Sequence, residues 1–214
     1  MTTLPDARLL NPLVVSGLLA AALCAAAGLA VPPPEDGATA TLLERLVHNP
    51  FVLVIGFVGL WALVYGTIQL WATGTTQAGG LAGWLSGQGG GREVPMPADP
   101  TLAAGLFAER WDHLVARRMA PMSYAVWVLP LLGFIGTVIG ISDAIGGLGT
   151  VFADGDRQEA LESVLGALRF AFDTTFAGLV LVIPVMALST WIDLVGDRAR
   201  DRAIGARFGA PSAA

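Results

Sequence analysis

The chain has 214 residues, of which 54% are hydrophobic and only 14% charged, with a formal net charge of −5. A water-soluble domain usually carries about 25% charged residues, so something other than water solvates much of this surface. No basic stripe runs along any segment, which argues against nucleic-acid binding. The single cysteine, Cys24, supports neither an internal disulfide nor a metal site.

Four apolar runs are long enough to cross a bilayer, which takes about 20 residues. They are Leu13–Val31 and Phe51–Ala72, both free of charge, then Ser123–Ile145, which carries Asp143, and Ala167–Trp191, which carries Arg169 and Asp173. The first run is read as a spanning helix rather than a cleaved signal. Ala25 to Ala27 would suit a cleavage site, but Arg8 is balanced by Asp6 and the run is long for a signal core. The expected fold class is therefore an all-α integral membrane protein with four transmembrane helices.

The punctuation is clear. Pro32-Pro33-Pro34 stops the first helix and Asn49-Pro50 opens the second. Residues 73–100 are rich in Gly and Pro and read as a flexible linker. Residues 101–119 form a short helix with Arg110, Arg117 and Arg118, and the Gly- and Asp-rich residues 146–157 read as a loop. From Gln158 to Ala203 the one strong helix breaker is Pro184. A helix of about 46 residues reaches roughly 70 Å, beyond the thickness of a bilayer. The expected organisation is a hairpin of two membrane helices at 1–72, a linker and short helix at 73–122, a second hairpin at 123–203 and a flexible tail at 204–214.

Arginine placement sets the orientation, because cytoplasmic flanks of membrane helices are enriched in Arg and Lys. Arg8, Arg92, Arg110, Arg117, Arg118, Arg198, Arg200, Arg202 and Arg207 fall on one side, and Arg45 and Arg157 on the other. Both termini and the 73–122 segment are thus expected in the cytoplasm.

An ionisable side chain inside a membrane costs several kcal/mol unless it is paired or faces water. Asp143 lies shortly before the loop between the last two spans and Arg169 shortly after it, and Arg169 and Asp173 share a helix face. Arg169 is expected to bridge Asp143 and Asp173. A structural clamp is the favoured role, and a relay admitting protons or ions is the alternative. Thr137 and Thr175 fall at matched depth. A lone membrane threonine usually bonds its own backbone, but these two lie beside Gly133, Gly136 and Gly140, which let helices approach closely. A shared polar surface is the expectation.

The segment LLGFIGTVIGISDAIGGL (131–148) resembles the third-helix signature of the MotA/TolQ/ExbB proton-channel family, and ALRFAFDTTFAGLVLVIPVM (167–186) resembles its partner helix. Gly136-Thr137, and the spacing from Thr175 through Gly178 and Leu179 to Ile183-Pro184, are closest to the TolQ and ExbB pattern, whereas four spans match MotA. The resemblance implies a homopentamer in the bacterial inner membrane. The five copies would surround the membrane helices of a partner like ExbD, TolR or MotB, a single-span protein whose membrane Asp carries the proton. It implies that Thr137, Thr174 and Thr175 line the pore, that Gly133, Gly136, Gly140 and Gly178 pack helices, and that Pro184 kinks the pore helix. Asp143 and Asp173 are not the family's proton carrier. The short Gly-rich 73–122 segment lacks a large charged rotor-binding domain, so flagellar rotation is not expected.

The competing readings are a structural multi-pass scaffold without ion flux and a small multi-pass transporter. Inverted-repeat transporters show matching broken helices in their two halves, and here the first two spans do not mirror the last two. No catalytic residues, metal or cofactor are expected. His48 and His113 lie apart from the intramembrane acids and read as solvated or capping residues.

Overall fold

The computed structural model of the protein describes residues 2–5, 10–31, 41–74, 91–94, 99–153 and 157–208. Helix α1 spans Leu10–Ala30, α2 spans Leu42–His48 and α3 spans Pro50–Gly74. Two long helices follow, α4 at Pro100–Ala153 and α5 at Arg157–Phe208. Strands β1 (Thr2–Pro5) and β2 (Gly91–Val94) form a small antiparallel ribbon, Thr2 facing Val94 and Pro5 facing Gly91. Nearly all the other described residues are helical, and among the described residues four helices are long and apolar enough to cross a membrane, at Pro12–Ala30, Pro50–Trp71, Thr101–Leu148 and Ala160–Arg202. It is a multi-pass membrane protein. Large apolar side chains such as Leu29, Trp127 and Phe172 stand at least 74% exposed, a pattern that lipid tolerates and water does not.

Three sequence expectations change. Residues 146–153 are helical and not loop, so α4 runs on to Ala153 and α5 begins at Arg157. Residues 154–156 lie outside the described residues. Gly147 lies against α5, where an added Cβ would sit 3.1 Å from Val164 Cγ2. Glycine is tolerated in membrane helices where neighbouring helices re-satisfy the backbone. The short helix at 101–119 and the third span are one continuous helix, despite Pro121 and Pro130. Helix α5 ends at Phe208, so part of the expected tail is helical.

Helix α2 was not anticipated. Its signal is a capping box: the Glu44 amide donates to Thr41 Oγ1 at 3.4 Å and the Thr41 amide donates to Glu44 Oε2 at 2.9 Å. His48 Nδ1 lies 3.0 Å from the Glu44 carbonyl in the last turn, and His113 is exposed. At the head of α4, Asp99 accepts from the Thr101 amide at 2.9 Å and the Thr101 hydroxyl at 2.6 Å. These bonds hold the exposed Asp99 carboxyl below its usual range.

The chain forms two compact units. One comprises Met1–Leu18, Ala62–Ser123 and Met186–Ala214, the other Leu19–Trp61 and Tyr124–Val185. The first is built around the buried Tyr65, Phe107, Met122 and Ile192. A Cβ on Gly66 would meet Leu188 and Met122, so α3, α4 and α5 come together there. In the same unit Arg200 of α5 pairs with Asp112 of α4 at 3.2 Å. The second has a core of mostly smaller residues, including Ala125, Ala144, Ala171, Thr174 and Ala177, with Leu129 and Val185. It holds the site described next.

Candidate channel site

Helices α4 and α5 approach each other along a stripe of glycines. A Cβ on Gly133 would lie 3.1 Å from Thr175 Cα, one on Gly140 would lie 2.6 Å from the Ala167 carbonyl, and one on Gly178 would lie 2.6 Å from the Leu129 carbonyl. Three of these neighbours are backbone atoms, so the two main chains touch without intervening side chains. Gly133, Gly136, Gly140 and Gly178 all lie in this seam.

This closeness brings Thr137 and Thr175 together, their hydroxyls hydrogen-bonded to each other across the two helices. Thr137 Oγ1 is also 3.1 Å from the Gly133 carbonyl and 3.3 Å from that of Ala171, and Thr175 Oγ1 is 3.2 Å from the Gly133 carbonyl. Two O–H protons thus serve more acceptors than they can satisfy at once. Each hydroxyl has an alternative direction in which to donate and lone pairs with which to accept. Such a pair can reorient to a passing carboxyl or carboxylate without carrying a fixed charge itself. Both threonines are half-buried.

Thr174 departs from the expected lining role. It is 0% exposed, its hydroxyl donates to the Ala171 carbonyl at 2.9 Å, and its side chain fills the space that a Cβ on Gly136 would need. One residue before Thr175, it points into the helix–helix seam and packs. Pro184 lies inside α5 on an exposed position. Having no N–H, it leaves the Val180 carbonyl without its usual helical donor.

The ionic cluster is also rearranged. Asp173 is paired with Arg45 of α2, with Nη2 and Oδ1 2.7 Å apart, rather than being bridged by Arg169 to Asp143. The Arg45 side chain is 30% exposed and that of Asp173 is 13%. Asp143 and Arg169 are exposed on the surface of the chain. Sequence spacing pointed to Arg169 because i and i+4 share a helix face. Arg45, 128 positions away, lies beyond the reach of helical spacing. Phe51 and Phe170, with ring centroids 6.0 Å apart, join α3 and α5 in the same unit.

The pair predicts a specific energetic result. Arg45→Met or Asp173→Asn alone should destabilise the chain by about 1–3 kcal/mol, below the 3–5 kcal/mol of a fully buried pair because Arg45 is partly solvated. The double variant should lose less than the sum. Unfolding titrations in detergent check this, and additive losses would show that the two groups act independently.

The glycine-lined hairpin with its hydroxyl pair lies within residues 104–201, and these residues match the MotA/TolQ/ExbB proton channel family. This hairpin is thus a region of the MotA/TolQ/ExbB type. Among curated proteins and solved structures, none matches the chain. The MotA/TolQ/ExbB match takes in the membrane portions of α4 and α5 and leaves α1, α2 and α3 outside it. A match to this family implies the general function of a proton channel with a stator-like role, in a family that typically works with a single-span partner.

Proposed function

We propose that the chain is the pore-forming subunit of an inner-membrane motor complex driven by the proton-motive force, and not an enzyme. Five copies would surround the membrane helices of an ExbD/TolR/MotB-like partner, a single-span protein with a membrane Asp. The observation that carries this reading is the Thr137–Thr175 hydroxyl pair, held where α4 and α5 meet backbone to backbone. One charge crossing 100 mV releases about 2.3 kcal/mol. Harvesting it requires a polar step that a titrating carboxyl can engage and leave. A hydroxyl pair provides hydrogen bonds without a fixed charge that would trap the proton. The distribution of arginines supports both termini in the cytoplasm.

Asp173 supports the same view by its occupation. Its ion pair with Arg45 suits a structural hold on α2 better than proton carriage. The decisive experiment is co-purification with a single-span protein bearing a membrane Asp. The expected product is a complex of five chains to two partner chains that passes protons in liposomes. A stable assembly of other stoichiometry with no proton flux would favour a membrane scaffold.

A further inference from the structure

Tyr65 and Gln69 lie one turn apart on α3, and both are buried, at 0% and 1% exposure. The Tyr65 hydroxyl donates to the Arg118 carbonyl on α4 at 2.9 Å. That carbonyl is next to the Arg117 carbonyl, which Pro121 leaves without a helical donor, so the bond ties α3 to α4 beside this break. The polar neighbours of the phenol are the Gln69 side chain and the Arg118 guanidinium.

Three donors in this cluster are shielded from solvent and have no hydrogen-bond partner among the described residues: Arg118 Nε, Arg118 Nη2 and Gln69 Nε2. Leaving buried donors unpaired is costly, and more so when the group is charged. Nε and Nη2 form one edge of the guanidinium, the edge whose two parallel N–H bonds match the oxygens of a phosphate or carboxylate. The unpaired atoms of the cluster are therefore all donors, with the Arg118 edge in oxyanion geometry and carrying one positive charge.

Its position selects the oxyanion. Gln69 lies within the last turns of α3, whose apolar span ends at Trp71. Arg118 lies just before the uncharged run that begins at Ser123. The ends of the uncharged runs put both groups near the headgroup level of a bilayer about 30 Å thick in its apolar core. Trp71 is 54% exposed at the same level, as aromatic residues at a membrane interface are. The adjoining exposed Arg117 draws anionic lipid to this surface.

We propose that Arg118 and Gln69 bind the phosphate of an anionic phospholipid, which sits between α3 and α4 and supplies the acceptor these donors lack. Arg118 would take two phosphate oxygens through its Nε–Nη2 edge and Gln69 a third contact. Tyr65 would position Arg118 through its backbone. The site needs only the membrane setting of the two helices and is independent of the threonine pair.

The test is native mass spectrometry of the full-length protein released from detergent with phosphatidylglycerol, phosphatidylcholine or inorganic phosphate in large excess. The wild-type chain should retain phosphatidylglycerol in preference to phosphatidylcholine, and inorganic phosphate should not displace it. Arg118→Gln should lower retention by about tenfold, as expected for losing charge-assisted hydrogen bonds, while Arg110→Gln should leave it unchanged. Displacement by inorganic phosphate would mean a free-anion site and overturn the lipid assignment. Unchanged retention in Arg118→Gln would overturn the site. So would loss of chain–chain assembly in that variant with lipid per chain unaltered, since the acceptor would then belong to a neighbouring copy. Should Arg118→Gln fail to fold, Gln69→Leu decides: reduced retention supports the site and unchanged retention refutes it.

Discussion

Thr137→Val and Thr175→Val should each assemble normally and each lose proton flux by about fivefold or more, whereas Thr174→Val should conduct like the wild-type chain. Valine keeps the volume and branching of threonine and removes only the hydroxyl. A neutral hydrogen bond lost at a barrier is worth about 1 kcal/mol, and 1.4 kcal/mol is a factor of ten in rate. The Thr137 and Thr175 hydroxyls bond across α4 and α5, so losing one also leaves the other with fewer partners. Thr174 is the internal control, because its hydroxyl donates to the Ala171 carbonyl one turn back and its bulk fills the seam beside Gly136. Flux into liposomes containing the purified complex reads all three. Wild-type flux in both Thr137→Val and Thr175→Val would remove the hydroxyl pair from the conduction path, and a loss confined to Thr174→Val would reassign it.

The contrast among these threonines shows what was legible in the residues alone. Matched depth on two antiparallel helices predicted that Thr137 and Thr175 would meet, and the glycine spacing predicted the close approach. Those are consequences of helical period and small side chains, which sequence displays directly. Thr174 was grouped with its neighbour because adjacency in sequence hides a turn of about 100° around a helix. Only the packing of Gly136 against it reveals which way it points. The Arg45–Asp173 pair was hidden for a different reason. Its register depends on where α2 comes to lie, and nothing in a seven-residue helix at a long sequence separation announces that. Residues 146–153 misled by composition, since glycine signals a turn in water but costs little in a helix sealed against a neighbour.

Gly178→Ala should be among the most damaging single-methyl changes in the hairpin, with Gly136→Ala and Gly140→Ala. A Cβ on Gly178 would sit 2.6 Å from the Leu129 carbonyl and 3.3 Å from Gly133 Cα, so relief requires the two main chains to move apart. Overpacking of this kind costs about 1–3 kcal/mol, and a backbone obstacle places Gly178 toward the upper end. Gly140→Ala should behave similarly, against the Ala167 carbonyl. Gly59→Ala meets only the Leu181 side chain at 3.0 Å, which can shift, and Gly56→Ala and Gly166→Ala meet nothing within 4 Å. The last two should be neutral or stabilising by up to about 1 kcal/mol, the ordinary gain of alanine over glycine in a helix. Unfolding in detergent ranks the series. The functional consequence follows from the geometry: forcing α4 from α5 at Gly178 and Gly133 also separates Thr175 from Thr137. Gly178→Ala should therefore lose flux even where enough folded protein survives to assemble. Full flux in a folded but destabilised Gly178→Ala protein would mean that conduction does not depend on the threonine contact.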